Sequence, residues 1–178
     1  MSVSSVTPVI LGLLSSRPRS GYEIKAIVDR STRFFWAASY GQIYPELRRL
    51  ESEGLIEGED APNGDRPRRV YSLTPSGHDA LDGWLLGTET TIEMRDESLL
   101  RLFFADAVPH AQALRLLEGR RRGHEQFLDA LRAIDARPGT DTPFVDLVLR
   151  WGIAFNEWGA QWCKEQRERL SAETTTPV

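Results

Sequence analysis

Three features that define common protein classes are scarce or missing in this sequence of 178 residues. The single cysteine excludes an intramolecular disulfide framework and a cysteine-rich zinc site. The longest apolar run, residues 8–14, is too short to span a bilayer, and no basic segment precedes it as in a secretory signal. Basic residues are not in excess, because 22 of them against 26 acidic residues give a net charge of −4. We therefore expect a soluble cytoplasmic protein without membrane association, in which any nucleic-acid site is a local basic patch.

Catalytic and metal-binding patterns are also lacking. His78, His110 and His124 are widely separated, and neither they nor Cys163 have the spacing of a metal site. His124 is expected at the surface or in an interface, and Cys163 is expected to be a semi-buried, unreactive thiol. No glycine pattern suits a phosphate-binding loop. The sequence predicts a protein that is not an enzyme and that needs no metal or other cofactor.

Helix-start signals divide the N-terminal half of the chain. They predict a first helix over about residues 8–14, a second over about residues 21–30 and a third that ends at Gly54. The signals are a capping threonine before proline, an S-x-x-E capping box and an S-x-x-Q capping box, at Thr7 and Pro8, Ser20 and Glu23, and Ser39 and Gln42.

A β-hairpin is predicted after the third helix. Residues 55–59 and 69–73 are short strand-like segments on either side of an Asn-Gly dipeptide, which is the strongest short hairpin signal. A Thr-Pro pair then opens a fourth helix that ends near Gly87. The order helix, helix, helix, hairpin, helix is that of a winged helix-turn-helix domain.

The rest of the chain is predicted to be helical. Residues 88–96 are interpreted as a linker, residues 97–170 as a helical dimerisation domain and residues 171–178 as a disordered tail. Within the helical domain the predicted helices cover about residues 97–105, 109–136 and 143–170. The fold class is thus mainly α with a small β-hairpin wing, in which a winged helix-turn-helix DNA-binding domain, residues 1–87, precedes the helical domain.

The third helix has the composition of a recognition helix, which enters the major groove in winged-helix proteins. Gln and Arg side chains match adenine and guanine edges, and Tyr and Arg reach phosphates. If Ile43, Leu47 and Leu50 face the core, then Gln42, Glu46 and Arg49 project on the opposite side, with Tyr44 and Arg48 on a flank.

Local charge agrees with this interpretation. Residues 17–49 contain seven basic and three acidic side chains, and the hairpin tip adds three arginines beside one aspartate. An acidic stretch over residues 51–60 offsets most of this charge. A basic surface on the elements that dock DNA is the expected electrostatic footprint of a DNA-binding domain.

Two runs resemble the PadR-like transcriptional regulators. These are FWAASYGQIYPELRRLESEGLI at residues 35–56 and RVYSLTPSG at residues 69–77, with GYEI at residues 21–24 in the second helix. The resemblance covers about residues 7–86, and RDESLLRLFF at residues 95–104 is similar to the start of the helical C-terminal domain in the larger members. It implies a homodimer held by the C-terminal helices, with two winged-helix domains on a pseudo-palindromic double-stranded DNA operator, usually as a repressor.

The resemblance also implies which side chains face DNA. It favours a set of tyrosines and polar residues in the second and third helices, with the hairpin arginines in the wing. Together with the basic residues of those helices, the predicted DNA-binding residues are Tyr22, Lys25, Ser39, Tyr40, Gln42, Tyr44, Arg48, Arg49, Arg66, Arg68 and Arg69.

The last helix carries a stripe of large apolar residues at alternating steps of four and three. Such spacing is typical of helices that pack along their length, so the stripe is interpreted as a dimer interface. Packing within the chain against residues 109–136 is the alternative for part of it. A third possibility is a pocket for a small, flat aromatic effector, since the family includes regulators that respond to phenolic acids or drugs. The residues are Phe144, Val148, Trp151, Phe155, Trp158 and Trp162.

The predicted function is a homodimeric, sequence-specific DNA-binding transcriptional regulator that acts as a repressor and is released by a small aromatic effector. The alternative is a protein-protein interaction module that uses a winged-helix scaffold without binding an operator. A salt titration distinguishes the two hypotheses. An operator-binding regulator should bind its duplex at low salt and lose affinity steeply as the salt concentration rises, whereas an interaction module should not bind the duplex.

Overall fold

The structure, a computed structural model, describes residues 6–32, 40–61, 68–88, 96–135 and 142–173. The chain forms two compact units, Met1–Thr91 and Ile92–Val178. The boundary between them lies outside the described residues, as do Ser39, Arg66, the hairpin tip and residues 174–178. Predictions that concern those positions stay predictions.

The first unit is a winged helix-turn-helix. Three helices precede a β-hairpin and a fourth helix, as the sequence predicts. The elements are α1 (Thr7–Leu14), β1 (Arg19–Ser20), α2 (Gly21–Val28), α3 (Tyr40–Ser52), β2 (Ile56–Ala61), β3 (Arg68–Leu73) and α4 (Pro75–Leu85).

The sheet has three strands in the order β1-β3-β2, all antiparallel. In the hairpin Ile56 pairs with Leu73, and on the other edge of β3 Arg19 pairs with Tyr71. The sequence predicted only the two hairpin strands. The third strand was missed because two residues are too few to show the alternation by which strands are recognised.

Helix caps account for most of the helix boundaries. The hydroxyl of Ser20 accepts a hydrogen bond from the backbone N–H of Glu23, and the Glu23 carboxylate accepts one from the backbone N–H of Ser20, which confirms the predicted capping box. The hydroxyl of Thr74 caps α4 by accepting from the N–H of Gly77 at 3.1 Å. Gly54, just past α3, has a φ of +72°, the left-handed conformation expected of a helix stop.

The predicted cap of the first helix is wrong. Val6 occupies the N-cap position without a side-chain hydrogen bond, and Thr7 lies inside α1. The hydroxyl of Thr7 instead donates to the carboxylate of Glu46 on α3. A long-range partner has replaced the local one, and it links α1 to α3.

The core of this unit lies where α1, α2 and α3 meet the sheet. The predicted core residues of α3 are completely buried, and α1 and α2 contribute equally buried aliphatic side chains. The residues with an exposed fraction of 0% are Ile10, Ile24, Val28, Ile43, Leu47 and Leu50. At roughly 1.5–3 kcal/mol for each fully buried aliphatic side chain, this cluster holds the three helices in one arrangement.

The second unit is helical throughout its described residues. Its helices are α5 (Glu97–Phe103), α6 (His110–Asp135) and α7 (Pro143–Glu173), with a single 3-10 turn at Ala105–Ala107. Leu117, Leu128 and Leu131 of α6 and Cys163 of α7 are buried where the two long helices pack. The helix α7 continues through residues 171–173, which were predicted to belong to the tail, so that boundary is wrong.

Gly77 provides a test of the packing between α4 and the hairpin. A Cβ atom at this position would lie 2.0 Å from the carbonyl oxygen of Leu55, which is backbone and cannot move aside cheaply. We predict that Gly77→Ala lowers the free energy of unfolding by about 1–3 kcal/mol.

Gly83→Ala is the matched control, because it lies in the same helix and a Cβ atom there would have no neighbouring atom within 4 Å. It should stabilise the unit by about 0.5–1 kcal/mol through helix propensity. Urea unfolding of both variants measures the difference, and a Gly77→Ala variant as stable as Gly83→Ala would contradict the packing argument.

Candidate nucleic-acid interface

The exposed side of α3 lies opposite its buried aliphatic residues. Gln42, Pro45 and Arg48 follow one another at steps of three along this side, and all three are exposed. Within the described part of the chain no ion pair holds Arg48. An amide and a guanidinium group are therefore presented to solvent on one helix face, the arrangement needed for contacts to base edges and phosphates. Tyr40, another predicted DNA-binding residue, is the first residue of α3, and its side chain lies outside what the structure describes.

Two residues predicted to project away from the core, Glu46 and Arg49, make contacts with α1. Glu46 is only 7% exposed, and its carboxylate accepts hydrogen bonds from the hydroxyl of Thr7 and from the Arg49 guanidinium, whose Nε lies 3.0 Å from it. Arg49 also donates to Thr7 and, at 2.5 Å, to Glu53. The hydrogen bond to Glu46, followed by that to Glu53, raises the pKa of Arg49 above its ordinary range. The predicted outward placement of Glu46 is wrong, because Thr7 of α1 covers that carboxylate. The Arg49 side chain is 39% exposed, and its assignment to DNA stays a prediction.

On α2 the two predicted residues have opposite surroundings. Tyr22 is 69% exposed in the first turn. Lys25 is only 8% exposed, and its ammonium group pairs with the Asp29 carboxylate one turn later. The prediction that Lys25 faces DNA is not supported, since its stem lies among the buried residues of α2 and its charge is already paired.

The packing of α3 on α2 depends on Gly21. A Cβ atom there would lie 2.8 Å from Cε1 of Tyr44, so the Tyr44 ring lies directly against the first turn of α2. Tyr44 nevertheless stays 38% exposed. We call the exposed set on these two helices, Tyr22, Gln42, Tyr44 and Arg48, the docking face.

The described wing arginines are paired with carboxylates of neighbouring elements. Arg68 pairs with Glu23 of α2. Arg69 donates to Glu51 of α3 at 2.5 Å and to Asp60 of β2 at 3.1 Å, and these bonds raise the pKa of Arg69. Both arginines remain partly exposed at the base of the hairpin.

The Glu23 carboxylate has partners on three sides. It accepts from the backbone N–H of Ser20 at 2.8 Å and from the Ser20 hydroxyl at 3.0 Å, and it pairs with Arg68 and, at 3.6 Å, with Arg17. The hydrogen bond from the Ser20 backbone, with those from Arg68 and the Ser20 hydroxyl, lowers the pKa of Glu23 to about 2, against the opposing effect of burial.

In the helical unit the aromatic residues of α7 form a continuous ladder. The rings of Trp151 and Phe155 stack with centroids 5.4 Å apart and planes 8° apart. Phe155 and Trp158, and then Trp158 and Trp162, follow at 6.3 Å each. Trp162 is half-buried, but Trp151 and Trp158 are 61% and 60% exposed, and Phe144 is 80% exposed.

Packing within the chain therefore leaves most of the predicted stripe uncovered. We call its exposed members, Phe144, Val148, Trp151, Phe155 and Trp158, the aromatic face. An exposed apolar surface of this kind is typical of a protein interface.

Polar residues lie between α6 and α7. His124 is 9% exposed, its Nδ1 lies 3.0 Å from Oδ1 of Asn156, and the Asn156 amide nitrogen donates to the carbonyl of Gly152. His124 was predicted at the surface or in an interface, and it is instead buried within the chain between these two helices. A Cβ atom at Gly159 would lie 2.6 Å from the imidazole, so this glycine provides the space for the ring.

Cys163 is 1% exposed, and burial raises the pKa of its thiol. It is more deeply buried than predicted, in surroundings that disfavour the reactive thiolate. Among the described residues, no cluster of three or more histidine, cysteine or acidic side chains could hold a metal ion. No helix in the described ranges is both long and apolar enough for a membrane span.

The fold and the docking face define a winged helix-turn-helix regulator. The family model of the PadR-like transcriptional regulators matches residues 10–83, and a model named for the C-terminal part of virulence activator alpha matches residues 94–171. The negative transcriptional regulator PadR of Bacillus subtilis is 32% identical over 125 residues, which are 69% of each chain. The chain belongs to the PadR-like family of transcriptional regulators.

Solved structures agree with this assignment. Bacillus subtilis PadR in complex with operator DNA superimposes with a TM-score of 0.85 at 26% identity, over 94% of this chain and 99% of that one. The structure of the same protein in complex with p-coumaric acid superimposes with a TM-score of 0.78, again over 94% of this chain and 99% of that one. The PadR-like regulator BC1756 of Bacillus cereus gives 0.83 at 26% identity, over 94% of this chain and 98% of that one.

The low pKa of Glu23 predicts how the stability of the winged-helix unit depends on pH. The folded pKa is about 2 and the ordinary value is 4.5, so the stabilisation is present above about pH 4.5 and is lost as the pH falls toward 2. We predict that Glu23→Gln lowers the free energy of unfolding by about 1–2 kcal/mol at pH 7. Urea unfolding at pH 7, 5 and 3 should show this difference shrinking toward acid pH.

Glu57→Gln is the control, an exposed glutamate of β2. Its effect on the free energy of unfolding should stay within about 0.5 kcal/mol. A Glu23→Gln deficit that is constant from pH 7 to pH 3 would contradict the electrostatic origin of the stabilisation.

Proposed function

We propose that this regulator is a homodimeric repressor that binds a pseudo-palindromic operator through α3. The observation that carries the proposal is the docking face. Gln42 and Arg48 are exposed on a helix whose other sides are fixed to α1 by Glu46 and to α2 by the Tyr44 ring. A rigidly held recognition helix loses little conformational entropy on entering the major groove. The similarity to a PadR solved with operator DNA supports the same role here.

The aromatic face supports dimerisation. Burying the two tryptophans Trp151 and Trp158 removes large apolar surfaces from water, at about 25 cal/mol for each Å². A second copy offers an identical aromatic face, so a two-fold interface is self-complementary. A dimer doubles the number of phosphate contacts and fixes the spacing of two recognition helices.

The proposed mechanism of regulation is a change in that spacing. A small aromatic effector that alters the packing of the C-terminal helices would move the two α3 helices out of register with successive major grooves. Support for an aromatic effector comes from the relative solved with p-coumaric acid. The stacked rings of Trp151 and Phe155 give a chemically suitable surface for a planar ligand.

Operator binding is tested with duplexes from the region upstream of this protein's own gene, after that region has been searched for an inverted repeat. We predict that Gln42→Ala relaxes base preference at one position of each half-site and costs about 1–3 kcal/mol on the specific duplex only. Arg48→Ala should weaken binding to specific and shuffled duplexes alike, since a phosphate contact carries no sequence information. Fluorescence anisotropy with both duplexes measures the two patterns.

Arg30→Ala is a useful third variant, because Arg30 is an exposed arginine that follows α2 and is not part of the docking face. It should leave the salt dependence of binding unchanged. If the wild-type protein binds neither duplex at low salt, the result favours the alternative hypothesis of a protein-protein interaction module with a winged-helix scaffold.

Dimerisation is tested by shortening an exposed tryptophan of the aromatic face. We predict that Trp158→Ala shifts sedimentation from dimer toward monomer, because Trp158 is 60% exposed in the single chain. Trp84→Ala is the matched control, since Trp84 is 51% exposed at the end of α4. An unchanged sedimentation profile for Trp158→Ala, or an equal shift for both variants, would rule out this assignment of the interface.

A further inference from the structure

Three arginines lie around one carboxylate at the start of α2. Arg17, in the turn before β1, and Arg68, at the start of β3, both pair with Glu23. Arg19, in β1, is close enough for the charges of Arg17 and Glu23 to shift its pKa. Burial lowers the pKa of Arg19, the charge of Arg17 lowers it further, and Glu23 partly reverses the shift. We call Arg17, Arg19 and Arg68 the arginine cluster.

Part of the hydrogen-bonding capacity of this cluster is unused. Nη2 of Arg19 donates to the Ser16 hydroxyl at 2.8 Å, but its Nε and Nη1 are buried without a partner. Nε of Arg68 is also buried without a partner. Unsatisfied buried donors on a cationic group are costly, and a rotation of the guanidinium groups toward solvent lets an anion with several oxygens satisfy them.

Glu23 neutralises only part of the charge. One carboxylate faces three guanidinium groups, and two of its hydrogen bonds are already taken by Ser20 in the capping box. Glu23 can therefore remain on the Ser20 backbone when the arginines turn to another anion. The cluster has the electrostatic and donor surplus of an incomplete anion site.

The position of the cluster indicates the source of the anion. It lies around Glu23, the residue that follows Tyr22 of the docking face in the first turn of α2, and at the base of the hairpin that forms the wing. These are the elements that run along the DNA backbone in winged-helix complexes. A phosphodiester group of the operator is therefore the favoured ligand.

We propose that the arginine cluster binds a DNA backbone phosphate and that Glu23 competes with this phosphate for Arg17 and Arg68. The proposal rests on the proposed operator binding and extends it to two residues, Arg17 and Arg19, outside the recognition helix and the wing. In the free protein Glu23 stabilises the fold and restrains the arginines. On DNA a phosphate replaces the carboxylate as their partner.

The test uses the full-length protein, its operator duplex and a shuffled duplex, with anisotropy measured over a series of salt concentrations. Arg17→Gln is the main variant, because the side chain of Arg17 is 59% exposed and its removal threatens no core packing. We expect binding to both duplexes to weaken about 3- to 10-fold and the salt slope to fall by about 2 per dimer, one phosphate contact for each copy. Arg30→Gln, an exposed arginine at the far end of α2, is the control and should change neither quantity.

Glu23→Gln gives the second readout, and its two effects have opposite signs. It should lower the stability of the fold, as argued from its pKa, yet tighten binding to both duplexes about 3-fold by freeing the arginines. If Glu23 has only a structural role, Glu23→Gln should instead weaken binding to both duplexes as it lowers the stability of the fold.

The outcomes separate this proposal from the proposed function. If the wild-type protein binds neither duplex, operator binding itself is refuted and the phosphate site falls with it. If the wild-type protein binds but Arg17→Gln has the same salt slope as Arg30→Gln, only the arginine cluster is refuted. If inorganic phosphate perturbs the arginine Nε resonances of the cluster while that slope is unchanged, the site takes free phosphate and its assignment to DNA is overturned.

Discussion

Carboxylates paired with arginines hold the elements that present the docking face. Glu46 is buried between α1 and α3, where Thr7 and Arg49 satisfy its oxygens, and Glu23 joins α2 to the base of the wing through Arg68. A partly buried carboxylate is tolerated only when it is paired and hydrogen-bonded, so each of these contacts specifies one relative position of two elements. The exposed residues Gln42 and Arg48 are positioned through these contacts.

Local signals predicted the frame of the winged-helix unit well. The Ser20 capping box, the Thr74 cap and the Gly54 stop each depend on residues within four positions of one another, and all are present. Contacts between residues distant in sequence could not be predicted from such local signals. The helical wheel of α3 placed Glu46 outside because it contains no information about α1. Lys25 was predicted to face DNA, but it is buried and paired with Asp29, a partner only one turn away.

The helical unit buries a polar pair among its leucines and exposes several of its largest aromatic side chains. His124 and Asn156 are hydrogen-bonded in the interior between α6 and α7, whereas Trp151 and Trp158 are exposed. The sequence shows the spacing of the aromatic residues along α7. It does not show which side of α7 faces α6, because an apolar stripe can pack against another helix of the same chain or against a partner. The buried polar pair specifies one register of the two helices, because only that register lets His124 and Asn156 satisfy each other.

The distribution of charge explains how an acidic chain can be a DNA-binding regulator. The net charge is −4, and carboxylates lie beside most of the described arginines near the wing: Glu23 beside Arg17 and Arg68, and Glu51 and Asp60 beside Arg69. These pairs reduce attraction to DNA of any sequence, because non-specific affinity comes almost wholly from phosphate contacts. Competition between a carboxylate and a phosphate for the same arginine lowers the affinity for operator and for other sequences alike, because a phosphate contact carries no sequence information. The contacts to base edges then supply the ratio of specific to non-specific affinity on which a search among many competing sites depends.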